Sequence, residues 1–595
     1  MGWVYNHTSC NIQCRYGACM SALLGRFYLA HINDTHSHFD ETALPLRLAL
    51  PEGSCDVRLH CGGFPRLASF IKRARQRAIS EQMPLVLLDG GDSFQGTLYF
   101  SCFKGQANAA LLNQLGIDAM VVGNHELDTG NAPLANFLRQ IRFPLLAANW
   151  DLSGEAEDKP TRMQDHPLMV SWQNPAHPKP YIVKWVDDVP VAIFGLVLEN
   201  MQDIAAPDGD SQFLPVVETA KTIIEQIHAD GIEHIILLSH LGFPRDCQLA
   251  QEVDGISLIV GGHTHTLQGD FGALGLADEH PYGERFNRTL VLHAGYNSLM
   301  VGLAEVSLLP EGQMRIEQGG NVLLTSETAL LQSQQGEPLP APQQRTIRRF
   351  LRNQRHVAML QPDSAMERLL ANNYRAKLRH YASDQVVSLP RGLRHVRIPD
   401  ERGGSQVAPL VAEAMLFQAR EMGVPVDVAI FNAGGARISL PPGPVSAAEL
   451  AGRLLPFAST ISHFEVRGGQ LRLALEGAIV NALELGGSGS FPYPADLRYS
   501  YHASAPRGQR VRQLHVKDRT GRWQLFDEQR DYRLITTSYT AMGKEGYHAL
   551  LNQRSEPELL GLIISDAFIN YARSRGILTP PQDALYQLNF DQLVS

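Results

Sequence analysis

The stretch Val121–Asp128 reads VVGNHELD. Two apolar residues and a glycine lead into Asn124-His125-Glu126, and an acid, Asp128, follows three positions after the histidine. A strand that runs out into water needs a turn, which Gly, Asn or Asp supplies. It does not need an amide, an imidazole and two carboxylates in near succession. The composition of this tip asks for a ligand.

The same pattern recurs on either side. RFYLAHIND, PLVLLDGGD, DAMVVGNHE, PLLAANW, VAIFGLVLE, HIILLSHLG, SLIVGGHTH and TLVLHAG are β-rich runs between residues 26 and 308. Several are apolar throughout, as strands covered on both faces must be. Amphipathic helices separate them, as in RLASFIKRARQRAISEQ, where Leu67, Phe70, Ile71, Ala74 and Ala78 share one face. The class is α/β.

Strand after strand closes on a metal-capable group: Asp34 and His36, then Asp92, then Asn124, then His240, then His263 and His265. In α/β sheets, residues just past the carboxyl ends of strands converge on one rim. Imidazole with carboxylate and amide oxygen, and no thiolate, suits Mn, Zn, Fe, Co or Ni. The set suits two divalent ions, with the Asp92 carboxylate able to bridge them at roughly the 3.5–4 Å separation of two-metal phosphatases. His125 stands apart from the ligands and faces a substrate, with Asp128 placed to hold its second ring nitrogen.

At 595 residues the chain exceeds the size of one core, so at least two domains are expected. Net charge of −9 and an isoelectric point of about 6.2 exclude a basic face for a nucleic-acid polymer. There is no run of about 18 apolar residues to span a membrane. Nothing in the sequence predicts a protein partner. The N-terminus lacks a basic stretch followed by an apolar one, and a cytoplasmic location is expected. The seven cysteines (Cys10, Cys14, Cys19, Cys55, Cys61, Cys102 and Cys247) are odd in number and fit a reducing compartment. The first three read as free thiols in an N-terminal tail, residues 1–25.

The first domain is read as 26–310. Pro-, Gly- and Gln-rich segments and a mixed-charge helix follow and read as a linker and connecting helix over 311–383. A second α/β region runs over 384–590, through VDVAIFNAGGAR, LLPFASTISHFEVRGGQLRLALEGAI and YRLITTSYTAMGKEGYHALL.

HINDTHSH, CGGFPRL, GGDSFQG, AMVVGNHELD, AANW, LLSHLG and SLIVGGHTHT together resemble the calcineurin-like metallophosphoesterases. The whole chain resembles the 5′-nucleotidase family, in which that domain precedes a nucleotide-binding one. The resemblance implies a four-layer α/β/β/α sandwich followed by a C-terminal α/β nucleotide-binding domain. It implies one ion at Asp34, His36, Asp92 and His265, the other at Asp92, Asn124, His240 and His263, and a catalytic pair, His125 and Asp128. It further assigns a small-molecule nucleotide to Asn432, Arg437, Phe457, Tyr539 and Glu545.

Two stretches around these positions depart from the family pattern. Ala433 stands where glycine is usual, and Lys544-Glu545 replaces Gly-Asp. Arg402 is the nearest candidate for an arginine the family carries upstream of SQVAPLVAEAML, and the segment 41–61 looks long enough to shape the mouth of the site.

The activity implied is hydrolysis of nucleoside 5′-monophosphates. The alternatives are 2′,3′-cyclic nucleotide phosphodiesterase, nucleotide-sugar pyrophosphatase, sulfur-ester hydrolase, or a nucleotide-binding protein without catalysis. The family is usually exported, so a periplasmic location is the alternative to a cytoplasmic one.

Overall fold

The computed structural model describes residues 23–579, apart from 277–279, 334–336 and the single positions 458, 503 and 519. Cys10, Cys14 and Cys19 lie outside the described residues.

Each of the eight β-rich runs forms a strand. Gly25–Ile32, Leu85–Asp89, Ala119–Val121 and Leu145–Asp151 pair in parallel within a nine-stranded sheet. Val189–Leu196, His234–Ser239, Leu258–Val260 and Thr289–Leu292 form the parallel centre of a six-stranded sheet. Period-two alternation stacks the two sheets. Ile193, Ile236, Leu238 and Val260 point inward to a core shared with Leu87, Val121 and Leu146 of the first sheet. Their neighbours Phe194, Ile235, Leu237 and Ile259 point outward to Ala220, Ile223 and Ile227 on the helix Val216–Ala229. The first sheet's outer face is covered by Phe64–Ser80, Gln106–Leu115 and Asn131–Leu138, through residues such as Leu67, Leu112 and Phe137. Helix, sheet, sheet and helix give the four layers.

The expected linker is shorter than the sequence reading placed it. Residues 310–313 form the turn of a hairpin, and Met314–Thr325 pairs along Met300–Leu308 with the register Leu308↔Met314 to Met300↔Leu323. Glu311 and Gly312 both have positive φ, 59° and 67°, the backbone that a tight hairpin requires. A Pro-Glu-Gly between two strands is therefore a turn, though its composition is also that of a linker. The helix Ala341–Arg352 then crosses over, and Val357–Met359 adds a parallel strand to the same sheet. The connection proper is the helical run from Ser364 to Ser383, with a π turn at Ala371–Arg375.

The segment 41–61 is a hairpin, Thr42–Leu50 with Gly53–Cys61, whose Leu46, Leu48, Val57 and Leu59 pack on Phe271 and Leu274. The second region builds a five-stranded sheet in the order Pro492–Ala495, Val428–Asn432, Asp531–Thr537, Thr460–Arg467, Glu558–Ile563. The helices Ala408–Glu421, Gly468–Glu484 and Ile564–Arg575 pack into its core through Met415, Leu475 and Phe568. Among the described residues no helix is long and apolar enough to cross a membrane.

Candidate metal centre and substrate cavity

The loops after the strands are interlocked before any side chain is considered. Asp34 N donates to Gly91 O at 2.8 Å and His36 N to Asp92 O at 3.1 Å. Asp34, His36, Asp92, His263 and His265 all have positive φ, between 46° and 76°. For side chains other than glycine this backbone costs on the order of 1–3 kcal/mol each. Such strain persists where the surroundings impose it, typically at functional sites.

All seven expected ligands are brought together, in overlapping groups. Donor atoms of Asp34, His36 and His265 lie within 4.8 Å of one another, as do those of Asp92, His240 and His263. A third group, His36, Asp92 and His125, places Asp92 between the two. Asn124 Oδ1 lies 2.8 Å from His263 Nδ1, which adds it to the second group. Gly123 lets Asp92 come close: a Cβ there would stand 2.1 Å from Asp92 Oδ1.

The donors suit divalent cations. His36 Nε2 and His265 Nε2 face each other at 2.9 Å. His240 Nδ1 hydrogen-bonds Gly90 O at 2.6 Å, and its buried Nε2 points to Asp92 Oδ2 at 3.1 Å. A ring nitrogen pinned by a backbone carbonyl, with the other free to ligate, is the usual arrangement around metals. Burial, reinforced by His125, pushes His36 down to about 4, and burial with His240 does the same to His263. Both rings therefore keep lone pairs at neutral pH.

Beside the cluster, His125 Nδ1 and Asp128 Oδ2 are 2.6 Å apart, and His125 Nε2 is 3.9 Å from Asp92 Oδ2. Burial disfavours charge on His125. The carboxylates of Asp128 and Asp92 outweigh it and raise the imidazole to about 10.

Glu126, given no role from the sequence, organises the loop. Its buried carboxylate accepts from the backbone N–H of Asp92, Ser93, Phe94 and Gly123 at 2.8–3.0 Å. Burial, then repulsion from Asp92, raises it to about 7. Asn33 is a second such residue, donating to Asp34 Oδ2 at 2.7 Å and Gly295 O at 2.6 Å.

His125 and Asp128 open on a cavity of about 420 Å³ whose far walls belong to the second domain. Asn432, Arg437, Phe457, Tyr539 and Glu545 all line it. Arg437 lies over the Phe457 ring, 5.5 Å from its centroid. Glu545 neighbours Tyr539, whose phenol is raised to about 12 by burial and that carboxylate. The arginine lining the cavity upstream is Arg397, which donates to Ser488 Oγ at 3.2 Å, and Arg402 does not reach it. Between and after the two arginines of RIPDER the backbone turns, closed by paired hydrogen bonds of Asp400 and Gly403, which sequence spacing does not reveal. Nor does the hairpin 42–61 line this cavity.

A sheet sandwich whose strand ends gather imidazoles and carboxylates defines a metal-dependent phosphoesterase domain. The family model for calcineurin-like phosphoesterases matches residues 27–267, and that for the 5′-nucleotidase C-terminal domain matches 386–552. A probable 5′-nucleotidase from Treponema pallidum is 31% identical over 546 residues, covering 88% of this chain and 87% of the relative. An NAD 5′-nucleotidase from Haemophilus influenzae is 29% identical over 556 residues, covering 90% and 87%. The crystal structure of a 5′-nucleotidase precursor from Thermus thermophilus superposes with a TM-score of 0.65 at 27% identity, covering 95% of this chain and all of that one. The chain belongs to the 5′-nucleotidase family, a group of metal-dependent hydrolases of phosphoric esters.

Proposed function

We propose that this chain hydrolyses nucleoside 5′-monophosphates to nucleoside and inorganic phosphate. The observation that carries this is the shared cavity, walled by His125 and Asp128 on one side and by Asn432, Arg437, Phe457 and Tyr539 on the other. A phosphate beside the histidine and a planar base among the rings then belong to one molecule.

Two divalent cations, one held by Asp34, His36, Asp92 and His265 and the other by Asp92, Asn124, His240 and His263, would supply charge neutralisation at the phosphoryl oxygens and activation of the attacking water. The rest falls to side chains. Phosphoryl transfer passes through a loose transition state in which positioning and electrostatics dominate. With Nδ1 engaged by Asp128, His125 keeps its other proton on Nε2, where it stabilises an equatorial phosphoryl oxygen or reaches the leaving oxygen. Arg437, which lies over the Phe457 ring, and Arg397 offer planar forks to anionic oxygens. Phe457 and Tyr539 offer ring faces, which every base can stack on. Ile204, Ala205 and Ala206 close the wall beside the dyad with apolar groups that exclude bulk water.

The test is a comparison of kcat/KM for the Mn²⁺-loaded protein on AMP, 2′,3′-cyclic AMP, UDP-glucose, NAD and an aryl phosphate. AMP is expected to lead. A lead for the cyclic nucleotide, UDP-glucose or NAD would reassign what the second domain recognises. Absence of phosphate release from every ester would overturn the proposal.

A further inference from the structure

Behind the strand ends, away from the cavity, sits a buried polar group that the site described above does not use. Asp246, on the helix Phe243–Glu252, and His293, one residue past the strand Thr289–Leu292, are both fully buried. Both oxygens of the Asp246 carboxylate are taken up: Oδ1 accepts from Ser239 Oγ at 2.5 Å, and Oδ2 faces His293 Nε2 at 2.8 Å. His293 Nδ1 is buried with no hydrogen-bond partner among the described residues, so the ring proton sits on Nε2 and is donated to Asp246. Ser239 Oγ in turn accepts from Leu241 N at 3.2 Å, which pins the turn carrying His240 on both sides.

The strand Leu258–Val260, which lies between those leading to Ser239 and His293, runs directly into Gly261. A Cβ there would stand 2.2 Å from Asp246 Oδ2 and 2.2 Å from His293 Nε2, so the Gly261–His265 loop crosses directly over the pair. One residue beyond His293, Ala294 N donates to Asn33 Oδ1 at 2.8 Å, and Asn33 holds Asp34. The segments bearing His240, His263 and His265 therefore meet at one carboxylate, and the segment bearing Asp34 is tied to them through Asn33 and Ala294.

An apolar pair of similar volume would pack at least as stably, because a buried ionisable pair adds little net stability. It would not fix direction. We propose that Asp246 and His293 are positioning residues for the metal ligands, setting the spacing of three adjacent strand ends so that the ligands stand in coordinating geometry before a cation arrives; this rests on the reading of those side chains as ligands.

The experiment is calorimetric titration of Mn²⁺ into the metal-stripped full-length chain, alongside the melting temperature of each metal-free variant. His293→Leu should weaken Mn²⁺ binding about 10- to 100-fold. His293→Gln, which keeps an N–H donor toward Asp246, should recover most of that loss. Ser239→Ala removes a single hydroxyl and should weaken binding about tenfold, which keeps the test valid if the leucine variant fails to fold. Unchanged affinity in a folded His293→Leu or in Ser239→Ala overturns the proposal, even where melting falls, since that pattern marks a merely structural role. A glutamine variant as weak as the leucine one overturns it too. A wild-type chain that binds no Mn²⁺, or binds it equally well after His240→Ala, refutes the ligand assignment itself and this role with it.

Discussion

Replacing Asp128 by asparagine should separate the proton chemistry of the site from its cations. His125 Nδ1 and Asp128 Oδ2 are 2.6 Å apart, with side chains 25% and 19% exposed, so the pair is largely withdrawn from water. A hydrogen bond with a charged partner contributes about 1.5–3 kcal/mol, or roughly 10- to 150-fold in rate if it is felt in the transition state. The expected result is a fall of that size in kcat for AMP with little change in KM.

The pH profile gives an independent reading. Burial works against charge on His125, and Asp128 with Asp92 more than offsets it, raising the group to about 10. Asparagine deletes the larger of the two counter-charges, so the folded-state pKa falls and the alkaline limb of kcat moves to lower pH. His125→Ala should lower turnover by about 10²–10⁴, and adding Asp128→Asn to it should cause no further loss, because the two act as a unit. The assay is steady-state hydrolysis across the pH range, with Mn content measured on each variant. Multiplying losses in the double variant, an unmoved alkaline limb, or a parallel loss of metal would refute the reasoning.

Two other outcomes are expected. Gly123→Ala places a Cβ 2.1 Å from Asp92 Oδ1 and 2.6 Å from Asp92 N, so the central carboxylate must shift; Mn²⁺ binding should be lost while circular dichroism stays native, and retention of two ions per chain would contradict this. In the metal-stripped protein, His125 and His240 are raised from 6.5 to about 10, so the stability they contribute is complete below about pH 6.5 and lost as pH rises through about 10. Melting in chelator should fall between neutral pH and about 10, and Mn²⁺ should reduce that slope by displacing the His240 proton; a rise over the same range would be inconsistent.

Much of this protein was legible in its sequence, for a local reason. Whether a strand is buried on both faces is written in its own residues, as in HIILLSHLG, whose Ile235 and Leu237 face one core and Ile236 and Leu238 the other. The candidate ligands were legible because each follows such a strand directly and parallel topology brings strand ends together. The hairpin turn at 310–313 was misread because Pro, Glu and Gly serve turns and linkers alike, and only the pairing of the flanking strands distinguishes them.

Residues whose partners are remote in sequence were not legible. Glu126 gathers amides from Asp92–Phe94, and its carboxylate within the motif carries no mark of that role. Arg397 rather than Arg402 lines the cavity, and the spacing within RIPDER does not distinguish them.

By itself, then, the sequence determined the α/β class, the strands and the metal-capable residues at their tips, because periodicity and residue chemistry are properties of short segments. The tertiary structure decided that the dyad and the second domain's rings share one cavity, and that Asp246 and His293 meet beneath Gly261. Those distances depend on how separate segments pack, and no stretch of chain records its neighbours.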